Sequence, residues 1–188
     1  MKKLFCVQWT GCFGFIKPFS AVRDIKVYSQ QFLTESIISG MEMKMFPELI
    51  KFKNGYETRK IKRHRLRYQE IVLQQETIQS AGMKKGKRET SIVERGILIN
   101  PVLTLAFDDK ESAERALKQH LFLCRNEDIL YPIEGIIDVE EDRFDIDDKF
   151  RGFELIHGLG DESFLVGFNR FKGGKPMYGK LIVFGDHA

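Results

Sequence analysis

The order in which apolar patterns follow one another is the feature of this sequence that most restricts its fold. A short alternating run is followed by a helical repeat, two extended runs and a second helical repeat. The predicted elements are a strand at 4–9, a helix from Ser29 or Thr34 to Phe46, a strand at 59–68, a strand at 96–107 broken at Pro101, and a helix at 110–121 that begins after Asp108 or Asp109. These are the first five elements of strand, helix, strand, strand, helix, strand, which is the order of a ferredoxin-like domain. We therefore expect an α+β fold with a ferredoxin-like core, an architecture that many RNA-binding modules share.

The length of 188 residues suggests one domain with an appendage. We expect the ferredoxin-like domain at 1–137, with an extended loop or basic β-hairpin at 69–95. An acidic segment at 138–150 reads as a linker, and three short apolar runs after it predict a small C-terminal β extension at 151–188. Hydrophobic residues make up 43% of the chain, which suffices for a real core.

The three cysteines argue against covalent or metal cross-links. Cys6, Cys12 and Cys124 are isolated, and no CxxC pair exists. This spacing excludes a disulfide framework and a zinc site of the common type, and no other cofactor or metal motif is present. No apolar run reaches the length of a membrane span, and the first ten residues read as a strand instead of a signal peptide. We expect a cytoplasmic protein with no membrane partner.

The net charge of +3 conceals two oppositely charged halves. Residues 1–100 hold 19 Lys and Arg against 9 Asp and Glu, whereas residues 101–188 hold 11 against 18. A basic half suggests a polyanionic partner, nucleic acid first. The alternative is that the two halves neutralise each other across the fold.

The densest cationic run lies in the predicted strand at 59–68. Alternation would place arginines on one face with Ile61, and lysines with His64 on the other. Because the arginine fork fits phosphate, we expect RNA contact, although a charged, solvated edge strand is the alternative. The predicted RNA-binding residues of this strand are Arg59, Lys60, Lys62, Arg63, Arg65 and Arg67.

Further cations lie in two glycine-containing segments. Lys17 follows Gly11 and Gly14 and precedes the first helix, where a turn and free helix amides would suit a phosphate. A second segment, 81–90, reads as a basic hairpin tip that a polyanion would order, or as a plain solvated loop. The remaining predicted RNA-binding residues are Lys17, Arg23, Lys26, Lys84, Lys85, Lys87 and Arg88.

The acidic run from Asp138 to Asp148 lacks the glycine and terminal glutamate of a calcium-binding EF-hand loop. A solvated linker, or an electrostatic partner for the basic strand, explains it better than a metal site.

Several short motifs resemble the Cas-five family of CRISPR effector subunits, closest to the subtype I-C ("d") form. The matches are Phe15-Ile16-Lys17-Pro18, Lys26-Val27, and Thr34, Ser36, Gly40 and Met41. They fall in the family's order over about residues 4–107. The resemblance implies a RAMP-type RNA-binding domain that caps the 5′ handle of the crRNA within a type I effector (Cascade) complex. It also implies that an extended loop, here 69–95, contacts a neighbouring effector subunit.

Members of subtype I-C also process precursor crRNA with a Tyr, Lys and His set. Here Phe46 stands where the tyrosine is expected, and Ile99-Asn100-Pro101 where the Lys–His pair is expected. Metal-independent cleavage needs a base, an acid and a cation, and Lys62 with His64 on one strand face is the pair that could substitute.

Three functions are therefore compared. The first is an RNA-binding effector subunit whose partners are crRNA or another structured RNA and other effector subunits. The second is a metal-independent endoribonuclease that processes precursor crRNA, and the third is a protein-interaction module that uses the basic strand.

Overall fold

The computed structural model of the protein describes residues 2–20, 25–51, 60–84 and 86–185. The described chain is α+β and mostly antiparallel, with helices α1 (Glu35–Met45), α2 (Lys110–Leu117) and α3 (Glu141–Phe144). The strands are β1 (Lys3–Thr10), β2 (Phe13–Gly14), β3 (Lys26–Tyr28), β4 (Ile61–Arg67), β5 (Glu70–Lys84), β6 (Lys87–Ile99), β7 (Val102–Phe107), β8 (Leu121–Phe122), β9 (Ile129–Pro132), β10 (Ile137–Glu140), β11 (Gly152–His157), β12 (Phe164–Asn169) and β13 (Lys175–Phe184). None of the described helices has the length and hydropathy that crossing a membrane requires.

The large sheet has the strand order β12-β13-β11-β4-β7-β1-β9-β8, and β10 pairs with β1 beside β9. All of its neighbouring strands run antiparallel. The break predicted at Pro101 separates β6 from β7, and Asn100 turns the chain there with a φ of 47°.

Helices α1 and α2 cover one face of this sheet. Their buried side chains, Met41 and Met45 from α1 and Ala113 and Ala116 from α2, join a core that includes Trp9. Asp109 caps α2 by accepting a hydrogen bond from the Ser112 amide at 2.7 Å, as the sequence predicts.

The N-terminus of α1 lacks the side-chain cap that Asp109 gives α2. Thr34 occupies the cap position with extended backbone, but its side chain makes no capping hydrogen bond. Instead, Thr34 Oγ1 lies 3.5 Å from Ser36 Oγ.

The acidic segment 138–150 covers the other face of the sheet. It contains β10, α3 and a 3-10 turn at Asp148–Phe150, and Phe144 and Phe150 pack against Leu4, Cys6 and Ala106. This segment, expected from the sequence as a linker, is an ordered layer of the fold because its two phenylalanines pack against the sheet.

The three C-terminal strands extend the same sheet. β11 lies beside β4, where Phe153 pairs with Leu66. Gly152 has a φ of 139°, and a β-carbon there would lie 2.7 Å from the Leu66 carbonyl oxygen, so the close approach of the two strands requires glycine. The segment 151–185 is thus continuous with the central sheet instead of forming a separate extension.

A long β-hairpin formed by β5 and β6 occupies the predicted loop region. β2 and the parallel β3 pair with the base of β6, and the remainder is a two-stranded ribbon. Arg125 holds the ribbon to the body of the protein: its Nη1 donates to Glu76 Oε1 at 2.5 Å, and Asp128 fixes its other nitrogen atoms.

Candidate nucleic-acid interface

The basic strand is split between two environments by a β-bulge. The register of β4 against β7 shifts between Ile61 and Arg63. Ile61 therefore packs into the helix-side core with Leu66, whereas Arg63 and Arg65 point to the opposite face, toward Phe144. The predicted face shared by Ile61 and the arginines does not form, because simple alternation does not include a bulge.

Arg63 and Arg65 form an internal ionic cluster with Glu154 and Asp145. Arg63 Nε donates to Glu154 Oε1 at 2.9 Å, and Arg65 Nη2 donates to Asp145 Oδ1 at 2.5 Å. Arg65 also pairs with Glu154 and stacks on Phe184, 3.5 Å from its ring centre. Burial, together with the charge of Arg63, lowers the pKa of Arg65 to about 10.

This cluster argues against RNA contact by Arg63 and Arg65. Arg65 is 1% exposed, and Arg63 already has two carboxylate partners. A phosphate would have to displace Glu154, whose side chain is itself buried. The sequence left two roles open for the acidic segment, a solvated linker or an electrostatic partner of the basic strand. Asp145 acts as such a partner, because it pairs with Arg63 and Arg65.

The other cations of this strand are less enclosed. Lys62 pairs with Asp108 at 3.1 Å, and Lys60 lies 3.9 Å from Asp109. Arg67 is half-buried, and its Nε has no hydrogen-bond partner in the described chain. Arg59 lies outside the described residues.

The two residues of the predicted cleavage pair lie in different surroundings. Lys62 is exposed, whereas His64 is 4% exposed and stacks on His157 with 5.5 Å between ring centres. His64 Nε2 accepts a hydrogen bond from the Leu155 amide at 3.4 Å. Burial, with the neighbouring His157 and arginines, lowers the pKa of His64 well below its ordinary value. The structure therefore does not bring the two together as an accessible base and cation.

The glycines of the Lys17 turn are close to the protein's own chain. A β-carbon on Gly11 would meet the Ile129 carbonyl oxygen, and one on Gly14 would meet the Leu123 side chain. These two glycines are therefore explained by close packing within the protein, without a phosphate. At the start of α1, Glu35 already supplies a negative charge and pairs with Lys172 at 2.7 Å.

Of the other predicted cations, Lys26 pairs with Glu94 at 3.7 Å and lies over the ring of exposed Tyr28. Lys84, Lys87 and Arg88 lie in the hairpin strands next to the turn at its tip. Arg23 and Lys85 lie outside the described residues.

A pocket between α1 and β8 brings together cations that the sequence did not predict. Its volume is about 310 Å³. The residues that line it are Ser36, Ile37, Gly40, Met41, Lys44, Leu121, Phe122, Leu123, Cys124 and Arg170. Lys17 is exposed, and its backbone lies within hydrogen-bonding reach of the Cys124 thiol, so its position is next to this pocket.

Lys44 and Arg170 give the pocket its positive charge. Lys44 Nζ donates to the His120 carbonyl at 2.5 Å and lies 4.2 Å from the Phe122 ring centre. Arg170 packs beside Gly40, 3.0 Å from where a β-carbon would lie. Within the described chain, neither cation has a carboxylate partner. Ser36, Gly40 and Lys44 are four residues apart along α1, so the sequence contained a local pattern for this side of the pocket. No local pattern in the sequence indicated that Arg170 would lie beside them.

Three aromatic side chains continue from the pocket along its rim. His120 and Phe122 meet edge to face at 5.1 Å between ring centres, and Tyr131 lies 6.4 Å from His120. Tyr131 is 60% exposed. The surface thus combines exposed rings with unpaired cations, the composition of sites that bind single-stranded nucleic acid.

Comparison with known proteins shows a structural similarity to solved chains. The fold matches that of a chain in a solved structure described as a CRISPR RNA-guided surveillance complex, with a TM-score of 0.53 and 12% sequence identity. The match covers 96% of this chain and 90% of that chain. No protein-family model and no curated protein sequence matches the chain.

Proposed function

We propose that this chain is an RNA-binding subunit of a type I CRISPR effector complex, of the Cas-five type and nearest to subtype I-C, which caps the 5′ handle of the crRNA. The observation that carries the proposal is the fold likeness to a chain of an RNA-guided surveillance complex over 96% of the residues. A likeness of that extent covers the hairpin and the C-terminal strands as well as the helix-bearing core.

The central strands support a ferredoxin-like core. Strands β4, β7, β1 and β10 are adjacent in that order, and α1 and α2 follow β1 and β7 on one face. This arrangement supports the proposed βαββαβ core.

The cations around the pocket are the proposed RNA contact. Lys17, Lys44 and Arg170 are unpaired in the described chain, in contrast to Arg63 and Arg65. Unpaired cations bind phosphates at lower cost, because no internal ion pair must be broken first.

The hairpin is the proposed contact with a neighbouring effector subunit. β2, β3 and Arg125 contact the part of it nearest the body of the protein, and Leu73, Ile78 and Ile92 lie exposed on its strands at 43%, 38% and 60%. Exposed apolar side chains on a projecting element mark a protein-binding surface.

Fluorescence anisotropy with a labelled single-stranded RNA over a salt series tests the RNA contact. We expect salt-dependent binding whose log–log slope is about −2, if three phosphates are neutralised. The triple change Lys17→Ala, Lys44→Ala and Arg170→Ala should remove most of the affinity and flatten the slope. Equal affinity of this variant and the parent would contradict the proposed contact.

A matched triple variant removes the same charge elsewhere. Lys3, Lys110 and Lys180 each pair with a surface carboxylate away from the pocket. Changing these three to alanine should leave most of the binding intact. Incubation of the RNA in EDTA separates binding from processing, and we expect intact RNA because His64 is buried and Phe46 has no ionisable group.

A further inference from the structure

We infer that the pocket between α1 and β8 holds one unstacked nucleotide of a single-stranded RNA, with its phosphate between Lys44 and Arg170 and its base against the rings of Phe122, His120 and Tyr131. This inference rests on the proposed function, since it names how that RNA would be held. It adds to that function a subsite in which a single base is bound by stacking on aromatic side chains.

The charged side chains that line the pocket indicate which group of the ligand binds there. Lys44 and Arg170 are the two charged residues of its lining, and both are cations. Burial lowers the pKa of Lys44, and an anion beside it would offset this effect by stabilising the ammonium. A phosphate provides that anion and also has acceptor oxygens for the guanidinium of Arg170.

The walls give the pocket a nucleotide's size and shape. Gly40 and Ser36 leave space along α1, and Ile37, Met41 and Leu123 provide apolar walls. The volume of about 310 Å³ lies at the lower end of the range for small-molecule sites, about 300–1,000 Å³. The space suits one nucleotide instead of a duplex.

The rings at the rim distinguish RNA from other polyanions. An acidic peptide would satisfy Lys44 and Arg170 equally well but would leave Phe122 and Tyr131 unused. A base has a π-face for these rings, and stacking of this kind is tolerant of sequence. The joint presence of rings and cations therefore favours a nucleotide over a carboxylate ligand.

The test compares two octamers that carry the same phosphates. One is octauridylate, and the other is the corresponding abasic ribose-phosphate octamer. We expect the parent protein to bind the strand with bases about tenfold more tightly, since stacking on aromatic side chains provides an effect of that size. Phe122→Leu retains apolar volume and should remove this preference. Lys44→Gln with Arg170→Gln should weaken both strands alike.

Phe164→Leu is the matched control, because Phe164 is an exposed ring on β12 away from the pocket. It should retain the full preference for bases. If Phe122→Leu keeps the preference, or if the parent shows none, the inference is overturned while RNA binding by the protein stands. Displacement of both octamers by hexaglutamate, with no preference for bases, would identify a general anion site and also overturn it. If neither octamer binds, the proposed function fails together with the inference.

Discussion

At the scale of single residues, the arginines of β4 show how burial changes the meaning of a charge. Their density suggested a phosphate-binding face, yet Arg65 is enclosed by Phe144 and Phe184 and neutralised by Glu154 and Asp145. The acids lie 80 to 91 residues further along the chain, so no local pattern could pair them with the strand. Arg170 lies even further along the chain from α1, so no local pattern could assign it to the pocket.

The buried histidine pair predicts a pH-dependent stability. Burial lowers the pKa of His64 and of His157 below the ordinary value of 6.5, so the unfolded chain binds more protons than the folded one as the pH falls through that value. Stability therefore decreases as the pH is lowered from about 7.5 to about 5.5. Urea unfolding at the two pH values should show a lower midpoint at pH 5.5.

The variant His64→Gln isolates this effect, because glutamine retains an acceptor for the Leu155 amide and does not titrate. We expect its midpoint to change less between the two pH values than that of the parent. His120→Gln, on the exposed rim of the pocket, is the control and should behave as the parent does. An equal pH dependence in His64→Gln and the parent would contradict the prediction.

At the scale of elements, the sequence predicted those whose signal is local. The strand at 4–9, the break at Pro101 and the Asp109 cap depend on alternation, proline chemistry and a side-chain acceptor, and all three are present. Helix α2 ends at Leu117 instead of residue 121, because Leu121 and Phe122 pair with β9 as β8. Tertiary pairing overrides helical periodicity there.

Glu76 anchors the hairpin in addition to its pairing with β2 and β3, because it bridges Arg125 and Arg95. Its replacement by glutamine should weaken this anchor by about 1 kcal/mol, since a charge-assisted hydrogen bond becomes a neutral one and the site is partly exposed. We expect amide hydrogen exchange in β5 and β6 near Glu76 to become about five times faster, while exchange in β1 and β7 is unchanged.

Glu94→Gln is the matched change on the same hairpin, because Glu94 pairs with Lys26 at 3.7 Å on a more exposed surface. It should leave exchange in the hairpin close to that of the parent. Faster exchange throughout the sheet in Glu76→Gln would indicate a loss of global stability and would contradict a local anchor.

At the scale of the whole molecule, the two charged halves meet inside the fold. The basic first half contributes β4, and the acidic second half contributes Asp145 and Glu154, which neutralise it. The asymmetry in charge was visible in the sequence, and internal neutralisation was one of its two explanations. Among the described cations without a carboxylate partner, Lys44 and Arg170 line the pocket and Lys17 lies next to it.

The C-terminal strands are therefore expected to be required for folding of the first 150 residues. A fragment of residues 1–150 lacks β11 to β13, which leaves β4 as an open sheet edge and removes Glu154 from Arg65. Loss of one partner from a buried ion pair costs about 3–5 kcal/mol, a large part of a typical stability of about 5–15 kcal/mol. The fragment should lack a cooperative thermal transition by circular dichroism, whereas residues 1–185 should retain one. Addition of a peptide of residues 151–185 should restore it, because the peptide supplies both the edge strands and Glu154. A fragment that unfolds cooperatively by itself would show that the C-terminal strands are an appendage.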